Sequence, residues 1–284
     1  MKSTALVLLF LSGVYSGFSQ STDSTHDKKI VLPWFVERFK ISAGFFYVVN
    51  KTNIKVEVTD GTGTDINMEK DLGLNKEIGT FLADFQWQVS RRSRINLNYY
   101  NVNRSSNHTL NQDIIFEDNT YSANSNVHSF FNTTIYQFSY GYAILSKPEY
   151  EAGLMVGTHV LQAKTGISIN NETVGSTMNN SFGFTAPLPD LGIWGAWAVS
   201  RRLAINAGIS YFALNLNNKS GRLLAFNLNL IYKIIDQLDI TLGYTGLDFK
   251  VDVIQPEASG YFKWGYNGPA LAVNFSFGKK SWTH

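Results

Sequence analysis

The residues whose types suit catalysis are few and scattered along this 284-residue chain. His159 is the best-placed general base, with Asp190 or Glu151 to orient it and Ser129 or Ser139 to supply a hydroxyl nucleophile. Such a set works only when the serine hydroxyl, imidazole and carboxylate lie within hydrogen-bond reach of one another. Spacing along the chain does not establish that reach, and no G-x-S-x-G pattern marks a nucleophile. The plainer reading makes His159 an interior histidine held by polar neighbours. Asp60, Asp65, Glu69 and Asp71 would offer oxygen ligands to a divalent cation, but they do not follow an EF-hand spacing. A solvated acidic loop is expected there. His108 and His128 lie near outer loops and are expected to be solvated, and five scattered histidines give no metal spacing. Asn107-His108-Thr109 and Asn132-Thr133-Thr134 have the N-x-[ST] form and are read as chance matches. No cofactor is implied.

A second set of ionisable residues shares one property: Arg38, Lys40, Asp84, Arg104, Glu151, His159, Asp190 and Lys233 all fall on the polar face of alternating segments. The stretch Thr80–Ser90, TFLADFQWQVS, sets the pattern. Phe81, Ala83, Phe85, Trp87 and Val89 occupy one face, and Leu82, Asp84, Gln86, Gln88 and Ser90 the other, as a strand requires. The same alternation recurs from residue 38 to residue 278. It predicts about ten strands, with eight or twelve as alternatives. Short turns near residues 91, 147, 201 and 237 alternate with longer loops at 60–79, 117–125, 171–184 and 253–261, and the 217–221 loop is short. Strand three is expected to extend past Arg104 toward Phe116. Short turns at one end and long loops at the other are the two ends of an all-β, antiparallel, up-and-down transmembrane barrel. The eight ionisable residues then face a narrow lumen as an ion-pair and hydrogen-bond network, because an unpaired buried charge is costly. Within it Asp84 is expected to pair with Lys40 on the neighbouring strand.

Composition supports this class. Aromatic residues make up 14% of the chain and charged residues only 16%, with mean hydropathy −0.10. Half of each barrel strand faces lipid, and aromatic girdles mark the interfaces. The alternative, a secreted sandwich, would have to cover each apolar face with a second sheet. Residues 1–19 read as a signal peptide: Lys2, an apolar run over Ala5–Val14 and small residues at Gly17 and Ser19. Residues 20–37 are expected to be periplasmic, with Val31–Phe35 at the inner interface and a short plug possible, and 279–284 to be a tail. The absence of cysteine excludes disulfides, thiolate metal sites and a cysteine lipid anchor. The net charge of +2 gives no steering toward nucleic acid.

Four stretches resemble a Bacteroidota-type family of bacterial outer-membrane β-barrel proteins: GTGTDINMEKDLGL (61–74), YQFSYGYAIL with EAGLMVGTHVL (136–161), TAPLPDLGIWGAWAVSRRLAINAGISYF (185–212) and GYFKWGYNGPALAVNFSF (260–277). Asp71-Leu72-Gly73-Leu74 and Gly268-Pro269 are the more specific parts. The resemblance implies an outer-membrane barrel with both termini in the periplasm and carries over no catalytic residue. The terminal VNFSF resembles the signal by which such barrels are recognised for assembly. The expected partners are outer-membrane lipids including lipopolysaccharide, the barrel-assembly machinery and an outer-membrane protein. The expected role is structural or interactive, with a narrow solute channel and a lipid- or peptide-modifying hydrolase as alternatives.

Overall fold

The computed structural model describes residues 32–58, 63–116, 119–171, 176–216, 219–254 and 258–278. The signal peptide and most of the 20–37 segment lie outside them, as do Asp60 and the 279–284 tail. Among the described residues, ten long strands close a barrel: β1 (Phe39–Val58), β3 (Glu77–Gln88), β4 (Ser93–Thr109), β7 (Asn126–Ser146), β8 (Tyr150–Asn171), β9 (Ser176–Ala198), β10 (Leu203–Leu216), β11 (Lys219–Ile235), β12 (Leu238–Ile254) and β13 (Ala258–Phe277). All pair antiparallel with their sequence neighbours, and β13 closes onto β1 from Phe39↔Phe277 upward. A short β2 (Asp65–Asn67) adds to β1, and β5 (Ile114–Phe116) pairs with β6 (Asn119–Tyr121) in a separate hairpin.

Several expected loops are strand. β8 and β9 continue through most of 171–184, and β12 and β13 through most of 253–261. Strand three ends at Thr109, and Ile114–Phe116 belongs to the hairpin instead. These extensions escape the alternation pattern because the pattern inverts within each strand. On β13, Leu271, Val273, Phe275 and Phe277 are exposed while Ala272, Asn274 and Ser276 are buried. Further up the same strand, Phe262, Trp264 and Tyr266 are buried and Lys263 and Asn267 face outward. β1, β7, β8 and β12 invert likewise. At the inversion both parities are apolar, as in Phe45-Phe46-Tyr47-Val48-Val49, and the phase of the alternation is lost.

Below the inversion the exposed apolar side chains form a band about nine residues tall on β7 (Tyr136–Ile144). That is the length a tilted strand needs to cross the hydrocarbon, about 9–11 residues. Tyr47, Tyr99, Tyr136, Tyr211 and Tyr244 rim its upper edge, and Phe39, Trp87, Trp197, Tyr232 and Phe277 its lower one. Above the band the barrel divides. The β3–β4 ladder stops at Leu82↔Tyr100 and the β9–β10 ladder at Tyr211↔Leu191. Continuing that second ladder would set Pro189 and Pro187, which have no N–H to give, against Ala213 and Asn215.

Two sheets result, β4-β7-β8-β9 and β10-β11-β12-β13-β1-β2. They face each other through Phe131–Phe262 and Phe184–Phe262 ring contacts at 5.9 and 5.2 Å. The upper half is thus a β-sandwich, the arrangement weighed above as the alternative fold, standing on a closed barrel. Its core also takes in Ile66, Met68, Leu72 and Leu74 from the β1–β3 connection and Ile114, Phe116 and Tyr121 from the hairpin.

The two specific motif parts have local causes. Gly73 sits at φ +66°, the left-handed region that favours glycine, and lets Leu72 and Leu74 both turn into the core. Gly268 passes so close to the Tyr47 carbonyl oxygen that no Cβ fits.

Candidate functional site

The inward positions of the lower barrel surround a polar chamber of about 320 Å³. At the short-turn end, Pro33–Val36 turns into the mouth, where Phe35 and Val36 pack on Ala196 and Ala204. Trp34 Nε1 donates to the Ser200 carbonyl at 2.9 Å. At the other end Phe46, Tyr100 and Tyr266 meet edge to face, and the two tyrosine hydroxyls share a hydrogen bond. The sandwich core lies beyond them.

The chamber holds several polar groupings. Lys40 Nζ is 3.3 Å from Asp239 Oδ2, and Asn274 donates to Oδ1 of the same carboxylate. Asp84, the expected partner of Lys40, instead has Ser42 Oγ at 3.4 Å, a long contact. Arg94 lays its guanidinium 3.3 Å from the centre of the Trp194 ring, and Glu151 accepts from Ser146 Oγ at 2.9 Å. His159 Nδ1 is 3.4 Å from Asp190 Oδ2, near enough for electrostatic contact but out of line for a hydrogen bond.

His159 and Asp190 therefore meet, as a base and its orienter would. Ser210, however, donates to Asp190 Oδ2 at 2.5 Å. With the carboxylate in the middle, no base faces the serine, and among the described residues no serine hydroxyl is hydrogen-bonded to His159. Ser139 accepts from Asn96 at 3.2 Å, and Ser129 lies in the sandwich, donating to the Leu72 carbonyl. The trio holds the wall together and lacks the order of a nucleophilic triad.

The remaining predicted residues lie outside the chamber's interior. Arg38 donates to the Val89 carbonyl at the rim, and Lys233 pairs with Asp236 at 3.2 Å beneath the Trp34 ring. Arg104 points inward but belongs to the sandwich. It binds Glu69 at 2.5 Å, Thr52 Oγ1 at 2.5 Å and the Asn75 carbonyl at 3.3 Å. Burial lowers the pKa of its guanidinium and Glu69 holds it up, so the cation persists. The 63–76 connection is thus not a solvated acidic loop. Asp65 accepts from Tyr261, Asp71 from the Asn67 amide, and Glu69 latches the wall. Among the described residues no three potential ligands gather into a metal site. His108 turns inward against Gly73, while His128 is exposed beside Asn107.

Sequence reading missed Arg94, Asp239, Ser210 and Glu69 as members of these networks. Arg94 follows the short turn near residue 91, and because β4 already starts at Ser93 it is a lumen residue. Asp239 shares the parity of Thr241, Gly243 and Thr245, and that parity was the available signal.

No family model matches the sequence, and no curated protein matches it. Solved structures are similar in fold. The outer membrane protease OmpT from Escherichia coli aligns with a TM-score of 0.51 at 10% identity, covering 86% of this chain and all of that one. The attachment invasion locus protein Ail of Yersinia pestis aligns at 0.34 with 10% identity, covering 84% of this chain and 99% of that one. The Pseudomonas putida toluene transporter TodX aligns at 0.34 with 9% identity, covering 88% and 94%. The likeness to OmpT is one of fold: an antiparallel barrel of the outer-membrane type.

Proposed function

We propose that this chain is an outer-membrane protein of the structural or interaction type: a non-conducting barrel that carries a rigid β-sandwich on the cell surface. The observation that carries this reading is the closure of the lumen above, where Phe46, Tyr100 and Tyr266 are backed by the sandwich core, with Phe35 and Val36 set in the mouth below. The exposed apolar band with its two aromatic rims supports membrane residence. Short turns at one end, and the first and last strands meeting there, support a periplasmic position for both termini. The signal-like residues 1–19 and the terminal VNFSF support export and assembly by the barrel-assembly machinery. The four motif stretches support a Bacteroidota-type source. The platform suits a subunit of a larger outer-membrane assembly.

One observation favours a second reading, a narrow solute channel: the chamber is polar and roomy enough for water. Single-channel recording separates the two. The closed barrel gives no steady open current, and such currents in the intact chain would overturn it. For a lipid-modifying hydrolase, His159→Ala would alter the lipid A mass profile; the arrangement of Ser210 on Asp190 predicts no change.

A further inference from the structure

Above the tyrosine rim the two sheets present different outer surfaces. Among the described residues, the outward positions of β4, β7, β8 and β9 there are mostly Asn, Ser and Thr, with Lys164 as the one lysine and no carboxylate. The opposite sheet holds a row of cations. The β11–β12 register sets Arg222 opposite Lys250, and the β12–β13 register sets Lys250 opposite Lys263. Three positive side chains thus stand side by side across three strands, spanning about 10 Å at the usual strand spacing. Like charges directly opposite each other destabilise a sheet. Asp248 reaches Arg222 at 3.6 Å and Asp252 reaches Lys250 at 2.6 Å. Lys263 has no carboxylate in ion-pair range among the described residues, and Asn53, its neighbour on β1, brings no charge.

Height matters as much as charge. Arg222 lies two residues beyond Leu224, which pairs with Tyr211 of the rim. Lys250 lies six residues beyond Tyr244. At about 3.3 Å per residue and about 40° of tilt, these two rim anchors bracket the row between roughly 5 and roughly 15 Å above the hydrocarbon edge. That is where the anionic headgroups of an outer leaflet lie.

We infer that the Arg222–Lys250–Lys263 row binds the phosphate groups of an anionic outer-leaflet glycolipid, the lipopolysaccharide class. The phosphate supplies the anionic partner that Lys263 lacks and offsets the repulsion left between the three cations. Because the row is on one side only, the lipid seats on the β11–β13 wall and leaves the amide-rich face free. The inference rests on the membrane placement proposed above and names the lipid contact within it.

The test uses the refolded full chain in neutral detergent, titrated with lipid A, with dephosphorylated lipid A and with inorganic phosphate. Heat-modifiable mobility certifies the folded barrel in every arm. Wild type binds lipid A, loses affinity as salt rises, and binds the dephosphorylated form at least tenfold more weakly. Each unpaired surface cation near an anionic leaflet is worth roughly fivefold in affinity. Lys263→Gln therefore weakens binding roughly fivefold, and Arg222→Gln/Lys250→Gln/Lys263→Gln at least tenfold. Lys164→Gln, on the other face, leaves binding unchanged. Equal binding of dephosphorylated lipid A, or wild-type affinity in the triple variant, overturns the inference. Inorganic phosphate binding as tightly as lipid A would assign the row to a free anion and overturn the lipid. Insertion into neutral vesicles is scored separately. Failure there refutes the membrane reading, whereas insertion without phosphate-dependent binding refutes this inference alone.

Discussion

The lower and upper halves of this molecule are built on the same strands with opposite rules. In the lower half of β13, Leu271, Val273 and Phe275 point out and Asn274 and Ser276 point in; in the upper half Lys263 points out and Phe262, Trp264 and Tyr266 point in. The β12–β13 ladder runs through the inversion without a break, and the β1–β13 ladder skips only Tyr47 and Val48, opposite Pro269 and Gly268. Two ladders stop at the boundary, but on the strands that continue through it only the polarity of the two faces changes, as two different surroundings in the proposed membrane placement would require. Where lipid surrounds the wall, apolar side chains gain nothing by hiding, and the lumen can be polar and wet. Where water surrounds it, the apolar side chains turn inward and the wall collapses into two sheets with a dry core.

The contrast is sharpest at the buried charges. Arg104 sits in the dry half, its side chain fully buried, with Glu69 as its partner. Arg104→Ala leaves Glu69 uncompensated and is expected to cost about 3–5 kcal/mol, confined to the sandwich. Limited trypsin digestion reads this as new cleavage after Lys70 or Lys76, with heat-modifiable mobility retained. Global unfolding would mean that the halves are not separable.

Next in size is a charge on the outer wall. Leu228→Arg, in the exposed band, is expected to cost about 2–4 kcal/mol in a bilayer. Asn132→Arg, equally outward but above the rim, should stay within about 0.5 kcal/mol. Equal costs in urea titrations from vesicles would erase the boundary between the two halves.

In the polar chamber, deletions are expected to cost less because the cavity has room for water to reach the orphaned groups. Asp239→Ala, which removes the partner of both Lys40 and Asn274, is expected to cost about 1–3 kcal/mol. Asp84→Ala, whose contact with Ser42 is long, should cost less than Asp239→Ala. Loss of heat resistance in the reverse order would contradict the geometry. The smallest effect is at the surface of the sandwich. Desolvation, with Asp65 accepting its hydroxyl proton, raises the Tyr261 phenol to about 12. The folded pKa is above the usual 10, so this contact stabilises fully below pH ~10 and is lost as pH rises through about 12. Tyr261→Phe should remove that alkaline step and change little at neutral pH.

Much of the lower half was readable in the sequence because one rule governs it. Phe81, Phe85 and Trp87 outward with Asp84 and Gln86 inward is a pattern of period two that survives any tilt of the strand. Ten strands and the inward placement of Lys40, Glu151, His159 and Asp190 all rest on that parity. The upper half was harder because the parity rule changes sign there, and Val160-Leu161 or Phe45–Val49 look like the end of one pattern rather than the meeting of two. The loop 63–76 was misread for a related reason. Asp65, Glu69 and Asp71 dominate its composition, yet Met68, Leu72 and Leu74 decide its position. Partner choice in the chamber was not readable at all. Lys40 can reach Asp84 or Asp239, and only barrel closure brings β12 and β13 near β1.

Thiol accessibility along β7 tests the division most directly, since the chain has no cysteine of its own. Single substitutions Asn126→Cys, His128→Cys, Asn132→Cys, Phe138→Cys, Tyr140→Cys and Tyr142→Cys share one outward face and span both halves. With a membrane-impermeant thiol reagent applied to intact cells, the first three should label and the last three should stay protected. Labelling of Tyr140→Cys from outside, or protection of His128→Cys and Asn132→Cys, would contradict a membrane barrel below and a water-facing sandwich above.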